Sequence, residues 1–344
     1  MTAAIEADNF DDETDQTSLN SDTESLASSV YHYQYENGRR YHAYRAGEYL
    51  LPNDEKEQDR LDLLHFIFRL TLGGSLFRAP LAPNPQRILD FGTGTGDWTF
   101  FIYNMAGLTS DIVLGIWAIN MADEFPSSEV IGTDLSPIQP TWIPPNCNFY
   151  VDDVESDWSY QSGGEFDFIH GRGMGGSIAD WDRLYAQIYK NLRPGGWVEM
   201  QEYETGMRSD DNTLDNAPLI KKLQQAGDEA SIKFGKQFNV AEKHKQRLID
   251  AGFVNVQDDI YKIPVGTWPK DPKMKRLGFY QLVQVLAAIE PFMMALCTRV
   301  MGYTVEETQV LMDGVRAEIK NPKNHLYCQF HFVYGQKPVS SSET

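Results

Sequence analysis

The sequence predicts an α/β fold: a seven-stranded mixed sheet, mostly parallel, with helices on both faces and a helical cap. Three observations favour it. Short apolar runs end in glycines or acids, helical patterns separate these runs, and a Pro-Gly-Gly turn leads from a helix back into a strand. Strands that alternate with helices favour a parallel sheet, whose ligands bind at the carboxyl ends of the strands. With 344 residues and 42% apolar content, the chain is long enough to form such a core.

The first predicted strand, residues 87–91, leads into a glycine-rich motif. Gly92, Gly94 and Gly96 follow it at intervals of two, and Asp90 lies two residues before the first glycine. Glycines allow the backbone to turn sharply and to approach a ligand closely. The spacing differs from the G-x-G-x-x-G of dinucleotide-binding folds. An acid beside the turn suits a ligand with an ammonium and a sulfonium, so these four residues predict the methionine end of an S-adenosylmethionine site. The alternatives are another adenosine ligand or a purely structural turn.

The charge of the chain limits its partners. A net charge of −19 argues against direct binding of nucleic acid. Residues 1–30 contain eight acids and no Lys or Arg, which predicts a disordered acidic tail. The apolar stretch from Leu282 to Cys297 is interrupted by polar residues, so we expect no membrane span. We expect a cytoplasmic protein, with a nuclear location as the alternative. The three widely separated cysteines indicate neither disulfides nor a metal site.

Residues 31–86 precede the glycine motif and are interpreted as a lid and helical segment. The aromatic part of this segment contains Tyr44 and Arg45, which are candidates for cofactor contacts. Packing of the tyrosines is an equally good explanation. Asn53 or Asp54 is the predicted cap of a helix that continues with acids in its first turn.

The second strand, residues 129–134, ends in Asp134, which we assign to the ribose hydroxyls of the cofactor. Asp134 follows Gly96 by 38 residues, about twice the usual ~20-residue interval. Removal of residues 97–115 would restore the interval and leave a good helix at 116–125. We therefore hypothesise that residues 97–115 are an insertion, for which a retained short intron is one source.

The third and fourth strands end in further polar residues. Asp153, beside Asp152, follows the strand 148–151 and is assigned to the adenine amino group. His170 and Arg172 follow the fourth strand and are predicted to project toward the reacting end of the cofactor. His170 is the candidate general base, and Arg172 could pair with a carboxylate. A structural role is as good an explanation for each of them.

The remaining pattern completes the domain plan. A helix at 181–192 and a turn at Pro194-Gly195-Gly196 lead to a fifth strand, which ends with Glu202 and Tyr203 on the substrate side. Residues 214–251 are predicted to be helical. A final strand near 325–334 is predicted to pair antiparallel beside the strand near Val254. Residues 87–265 are predicted to form the cofactor-binding core, and residues 325–338 its last strand. Residues 266–324 are predicted to form a helical cap over the substrate. The methionines of this cap either pack in the core or line an apolar pocket.

Taken together, several motifs resemble the LaeA-like fungal methyltransferases, over about residues 31–338. The resemblance is carried by Tyr41-His42-Ala43-Tyr44-Arg45, by Asp90 to Gly96, by Ile131 to Pro137, by Pro194-Gly195-Gly196-Trp197 and by Tyr334-Gly335-Gln336-Lys337. It implies a Rossmann-like class I methyltransferase fold, S-adenosylmethionine as cofactor and a role in fungal secondary metabolism. It does not identify the methyl acceptor, whether small molecule or protein. Residues 97–115 depart from the family.

Two other functions are compatible with parts of the sequence. The first is a regulatory protein that binds S-adenosylmethionine and protein partners with little or no catalysis, which the acidic tail favours. The second is a nucleotide-dependent oxidoreductase. The glycine spacing and the Pro-Gly-Gly turn disfavour the oxidoreductase.

Overall fold

The computed structural model describes residues 33–36, 38–42, 44–45, 51–94 and 117–339. The predicted tail, the hypothesised insertion and Gly96 lie outside the described residues. Nine strands are described: β1 Gln34–Glu36, β2 Arg39–Tyr41, β3 Arg87–Phe91, β4 Glu129–Asp134, β5 Cys147–Val151, β6 Phe166–Arg172, β7 Leu192–Tyr203, β8 Val254–Pro264 and β9 Tyr327–Gln336. The described α-helices are α1 Glu55–Thr71, α2 Trp117–Glu124, α3 Trp181–Asn191, α4 Pro218–Phe234, α5 His244–Asp250, α6 Pro272–Ala295 and α7 Val305–Lys320.

Seven of these strands form one mixed sheet in the order β5-β4-β3-β6-β7-β9-β8. The pairs from β5 to β7 are parallel, and β9 is antiparallel to both β7 and β8. The predicted seven-stranded mixed sheet is therefore confirmed, including the antiparallel pairing of the last strand with the strand that begins at Val254. The carboxyl ends of β3, β4, β5 and β6 meet at one edge, because parallel neighbours run in the same direction.

Helices cover both faces of the sheet. All five residues of β3 are buried, as expected for a central parallel strand. Ile88 packs in the cluster that contains Trp117 and Met121 of α2, whereas its neighbour Leu89 packs with Leu184 of α3 on the other face. This alternation follows from the two-residue period of a strand. A third cluster joins α1, α4, α6 and α7 to β8 and β9.

The N-terminus of α1 is fixed by Asp54, which confirms one of the two predicted caps. Its side chain accepts a hydrogen bond from the Glu57 backbone N–H at 3.1 Å. The same carboxylate pairs with Arg39, whose Nε and Nη2 lie 2.5 and 2.8 Å from the two oxygens. Asp54 therefore caps the helix and attaches the short β1–β2 hairpin to it.

The helical prediction for residues 214–251 is wrong in its middle. Helix α4 ends at Phe234, where Gly235 adopts a φ of 86° and the Lys236 N–H donates to the Ser231 carbonyl at 3.1 Å. A left-handed glycine that closes such a bond is a standard helix stop. The chain then crosses a loop before α5, and this loop carries Lys236 to the carboxyl edge of the sheet.

Helix α6 is the longest described helix. With the π-helical turn Leu296–Val300 it forms a run that could cross a membrane by length and composition alone. Its Leu277, Ile289 and Met293 are buried in the cluster shared with α1, α4 and α7. Packing against these helices accounts for its apolar character.

Candidate active site

The carboxyl ends of β3 to β6 border a cavity of about 580 Å³ that α1 covers. This volume lies within the range of about 300–1,000 Å³ typical of small-molecule sites. Of the residues predicted from the sequence, Gly92, Gly94, Asp134, Asp153 and Arg45 line the cavity. The strand ends therefore bring most of the predicted site together.

The turn after β3 requires its glycines. Gly92 and Gly94 have φ angles of 64° and 68°, a region that side chains other than glycine adopt only at a cost. A Cβ on Gly92 would lie 2.4 Å from the sulfur of Met174. The backbone of Gly92 can therefore pack directly against Met174, and both residues line the cavity.

Asp134 ends β4 and is oriented by the same turn. Its Oδ2 accepts the Gly94 N–H at 2.9 Å, and its Oδ1 accepts the Ser136 N–H at 2.9 Å. Burial raises the pKa of Asp134 to about 6, and these hydrogen bonds oppose the shift by stabilising the carboxylate. An oriented carboxylate with remaining lone pairs is suited to bind a pair of hydroxyls.

Arg45 reaches across the cavity from the N-terminal segment to Asp153. Its Nε lies 3.0 Å from Asp153 Oδ2, and its Nη2 donates to Ser156 Oγ at 3.0 Å. Asp153 Oδ1 also accepts the Glu155 N–H at 2.9 Å.

Tyr44 does not line the cavity. Its carbonyl accepts a hydrogen bond from His42 Nδ1 at 2.6 Å, and its ring lies 5.8 Å from the Arg45 guanidinium carbon.

Asp90 and His170 lie behind the glycine turn, outside the lining of the cavity. His170 is fully buried, and its ring stacks on Trp117 with 3.8 Å between centroids. Asp90 accepts hydrogen bonds from His170 Nδ1 and Thr93 Oγ1, both at 2.7 Å. The prediction that His170 projects toward the reacting end of the cofactor is wrong, because its ring lies within the sheet edge, covered by Trp117 and held by Asp90, whereas Arg172 on the same face is two residues closer to the strand end. Asp90 supports the turn from beneath.

Arg172, two residues further along β6, does line the cavity. Its guanidinium carbon lies 5.4 Å from the centre of the Phe68 ring. Burial lowers the pKa of Arg172 to about 10, so the side chain remains charged at neutral pH. No Asp or Glu of the described part of the chain lies within ion-pair distance, 4.0 Å, of this guanidinium. The wall thus presents a cation that is suited to a carboxylate.

His65 of α1 is a cavity residue that the sequence did not identify. Its Nε2 lies 3.2 Å from Asn120 Oδ1, which also accepts from Arg69 Nη1 at 3.3 Å. Because arginine only donates, Asn120 Oδ1 is the acceptor, and His65 Nε2 carries the proton. Its Nδ1 is a buried lone pair with no hydrogen-bond partner in the described residues. Burial and the charge of Arg172 hold the pKa of His65 well below its usual value, so the ring is neutral.

The charge of the lining fits S-adenosylmethionine. Acids outnumber bases by seven to five in the cavity wall: Glu57, Asp62, Asp134, Asp152, Asp153, Glu155 and Asp157 against Arg45, Arg60, Arg172, Arg183 and Lys236. An acidic surplus, together with the guanidinium of Arg172 that has no carboxylate partner among the described residues, matches a ligand that carries a sulfonium, an ammonium and a carboxylate. The glycine turn and Asp134 supply the backbone approach and the hydroxyl acceptor that its nucleoside requires.

Comparisons with known proteins identify the family of the chain. The family described as "Methyltransferase domain" matches residues 63–258. Methyltransferase pytC of Aspergillus terreus is 42% identical over 98% of this chain and 99% of its own length. The secondary metabolism regulator LAE1 of Cochliobolus heterostrophus is 36% identical over 88% of this chain and 94% of its own length.

Among solved structures, a Haemonchus contortus phosphoethanolamine N-methyltransferase 2 complex superposes with a TM-score of 0.42 and 16% identity. It covers 92% of this chain and 73% of the other. The family match spans more than half of the chain, and the two relatives match it over most of their length. The chain belongs to the methyltransferase domain family and is an S-adenosylmethionine-dependent methyltransferase, similar to the LaeA-like fungal proteins.

Proposed function

We propose that this protein transfers a methyl group from S-adenosylmethionine to an acceptor of fungal secondary metabolism. The observation that carries the proposal is the meeting of the glycine turn, Asp134 and Arg172 at one cavity. These groups come from three neighbouring strand ends, β3, β4 and β6. Their combination of backbone, carboxylate and guanidinium matches the parts of one nucleoside amino acid.

Different lining residues bind different parts of the cofactor. Gly92 and Gly94 shape the methionine end, and Arg172 pairs with the methionine carboxylate. Asp134 accepts hydrogen bonds from the ribose hydroxyls. Asp153 accepts a hydrogen bond from the adenine amino group. Because Asp153 also pairs with Arg45, its carboxylate must serve both groups. Asp90 acts indirectly by holding Thr93 of the turn.

S-adenosylmethionine supplies an electrophilic methyl group on a sulfonium when it is bound. The protein then needs to position the acceptor, exclude water and take up a proton where the acceptor loses one. We assign this proton to His65 Nδ1, a ring nitrogen of the wall that has no partner among the described residues, although burial makes it a weak base. Asn120 fixes the ring in the tautomer that leaves this nitrogen free. Helix α1, which carries His65, excludes water from the same side.

The biological setting rests on the relatives. One is a methyltransferase, and the other is named as a regulator of secondary metabolism. The acceptor is either a small molecule or a protein, and a regulatory function with weak catalysis is the second candidate. A cavity that holds both a cofactor site and an unpaired base favours catalysis.

A methyl-transfer assay tests the proposal. Purified protein is incubated with methyl-labelled S-adenosylmethionine and a fungal extract fractionated by size. The wild type is expected to label one fraction, and Asp134→Ala is expected to label it at least tenfold less. Asp313→Ala, which removes an exposed acid on α7, serves as the control and should behave like the wild type. Absence of label from every fraction, while the protein binds the cofactor, would favour the regulatory function.

A further inference from the structure

A second cavity, of about 130 Å³, lies beneath the helical cap. We call it the cap cavity. Its walls come from α4, α6, α7 and the end of β7, and most of its side chains are apolar. Its apolar lining includes Ile220, Val285, Ile289, Met293, Val315 and Ile319.

The cap cavity adjoins the cofactor cavity. Tyr203 and Phe292 line both, so these two residues form a wall that the two spaces share. Tyr203 is the last residue of β7, at the carboxyl edge where the cofactor cavity opens. A molecule seated in the cap cavity would therefore extend directly toward the methyl donor.

Two buried amide oxygens in the cap cavity lack partners in the part of the chain that the structure describes. Gln281 is 1% exposed, and its Oε1 has no hydrogen-bond partner among the described residues. Gln224 Nε2 donates to the Met207 carbonyl at 3.3 Å, which fixes the amide so that its buried Oε1 remains unpaired. Buried polar atoms are normally satisfied. Two acceptors without donors therefore indicate a ligand that carries O–H or N–H groups.

The two carboxylates that line the cap cavity both accept hydrogen bonds from the protein. Glu204 accepts from Arg208 at 2.6 and 2.7 Å, and Asp228 accepts from Asn239 Nδ2 at 2.5 Å. The charge of Glu204 is therefore neutralised, whereas Asp228 is only partly buried and keeps its charge beside a neutral amide. The rest of the lining is mostly apolar with a few amide groups, which fits a mostly apolar ligand that carries one or two donors.

We propose that the cap cavity binds the ring of the methyl acceptor, a neutral aromatic ring that bears a hydroxyl or N–H donor. Its size agrees, because a dry apolar cavity of about 150 Å³ is known to hold benzene. Gln281 and Gln224 would accept from the ring substituent, while the rest of the acceptor passes Tyr203 and Phe292. This inference rests on the proposed function and adds a class of acceptor to it.

Ligand-observed NMR titration with phenol and toluene tests the inference, with S-adenosylhomocysteine present at saturation. Phenol should bind the wild type at least tenfold more tightly than toluene, because only phenol has a donor for the unpaired oxygens. Gln281→Leu keeps the volume and removes the amide. In this variant the preference for phenol should fall to about threefold or less.

A matched pair on α6 locates the bound ring. Ala288 lines the cap cavity, whereas its neighbour Ala287 is exposed. Ala288→Phe should fill the cavity and weaken phenol binding at least tenfold, and Ala287→Phe should not change it. If Ala288→Phe does not fold, the phenol-to-toluene ratios of the wild type and Gln281→Leu decide the question.

Titration of S-adenosylhomocysteine into every variant separates this inference from the proposed function. Ala288 and Gln281 do not line the cofactor cavity, so the nucleoside should bind all variants equally. If the wild type does not bind S-adenosylhomocysteine, the proposed function is overturned. Normal nucleoside binding with no phenol preference, or with phenol binding unchanged by Ala288→Phe, would overturn the ring site alone.

Discussion

The two adjoining cavities are built in different ways. The cofactor cavity lies at strand ends, where backbone N–H groups and carboxylates such as Asp134 are held by short turns. The cap cavity lies between helices and is formed by side chains far apart in sequence, such as Gln224, Gln281 and Cys328. The first is specified by local motifs and the second by tertiary packing, so substitutions should affect the two separately.

The largest effect is expected from Gly92→Val. A branched side chain at a φ of 64° is strained, and its Cβ would lie 2.4 Å from the Met174 sulfur. We expect cofactor affinity to fall by on the order of 100-fold, about 2.7 kcal/mol, in a calorimetric titration. Phenol binding in the cap cavity should be much less affected.

Gly73→Val is the matched control for this variant. Gly73 has a similar φ of 66°, but a Cβ there meets nothing within 4 Å. It therefore reproduces the backbone strain without the clash or the contact with the site. Equal losses of cofactor affinity in the two variants would mean that the turn after β3 has no special role.

A smaller effect, on rate alone, is expected from His65→Gln. Removal of a well-tuned proton acceptor costs about 100-fold or more in turnover, but the lowered pKa of His65 makes it a weak base, so we expect a smaller cost. The acceptor found in the labelling assay should be methylated about 10- to 100-fold more slowly, with cofactor affinity within about threefold of the wild type. Stopped-time assays at saturating cofactor measure the rate.

His244→Gln controls for the loss of a buried neutral imidazole. His244 is fully buried, and burial lowers its pKa to about 3. It packs beside Tyr185, away from the cofactor cavity. Turnover of His244→Gln that falls as far as that of His65→Gln would indicate a general loss of packing, and the base assignment would fail.

The sequence was sufficient for the sheet and for much of its carboxyl edge. The apolar run of β3, the glycines after it and the acid that ends β4 are local features, so they could be placed without tertiary information. The antiparallel β9 was also predictable, because the order of the last two strands follows from the fold class. Domain boundaries and the role of residues 97–115 stay predictions.

Side-chain direction and helix packing were the parts that sequence could not supply. His170 was placed on the correct strand, but it lies two residues before the end of β6, where Trp117 covers its ring. His65 sits on α1 at i+8 from Glu57 and i+4 from Leu61, and all three line the cavity. The helical spacing of these three residues can be read from the sequence. Nothing in the local sequence shows that they line a cavity and do not pack in the core. Gly235, after Phe234, was a helix stop that the sequence did contain.

The pH dependence of cofactor affinity tests the central claim most directly. The pKa of Asp134 is about 6, and ribose hydroxyls donate to its ionised form. The protonated form must therefore lose its proton on binding. We expect the calorimetric affinity of the wild type to be highest above pH 7 and to fall by up to about tenfold per pH unit below 6, relative to Asp134→Asn. That variant should bind more weakly at pH 8. Equal affinities for the two proteins from pH 5 to 8 would contradict the assignment of Asp134 and the cofactor site built on it.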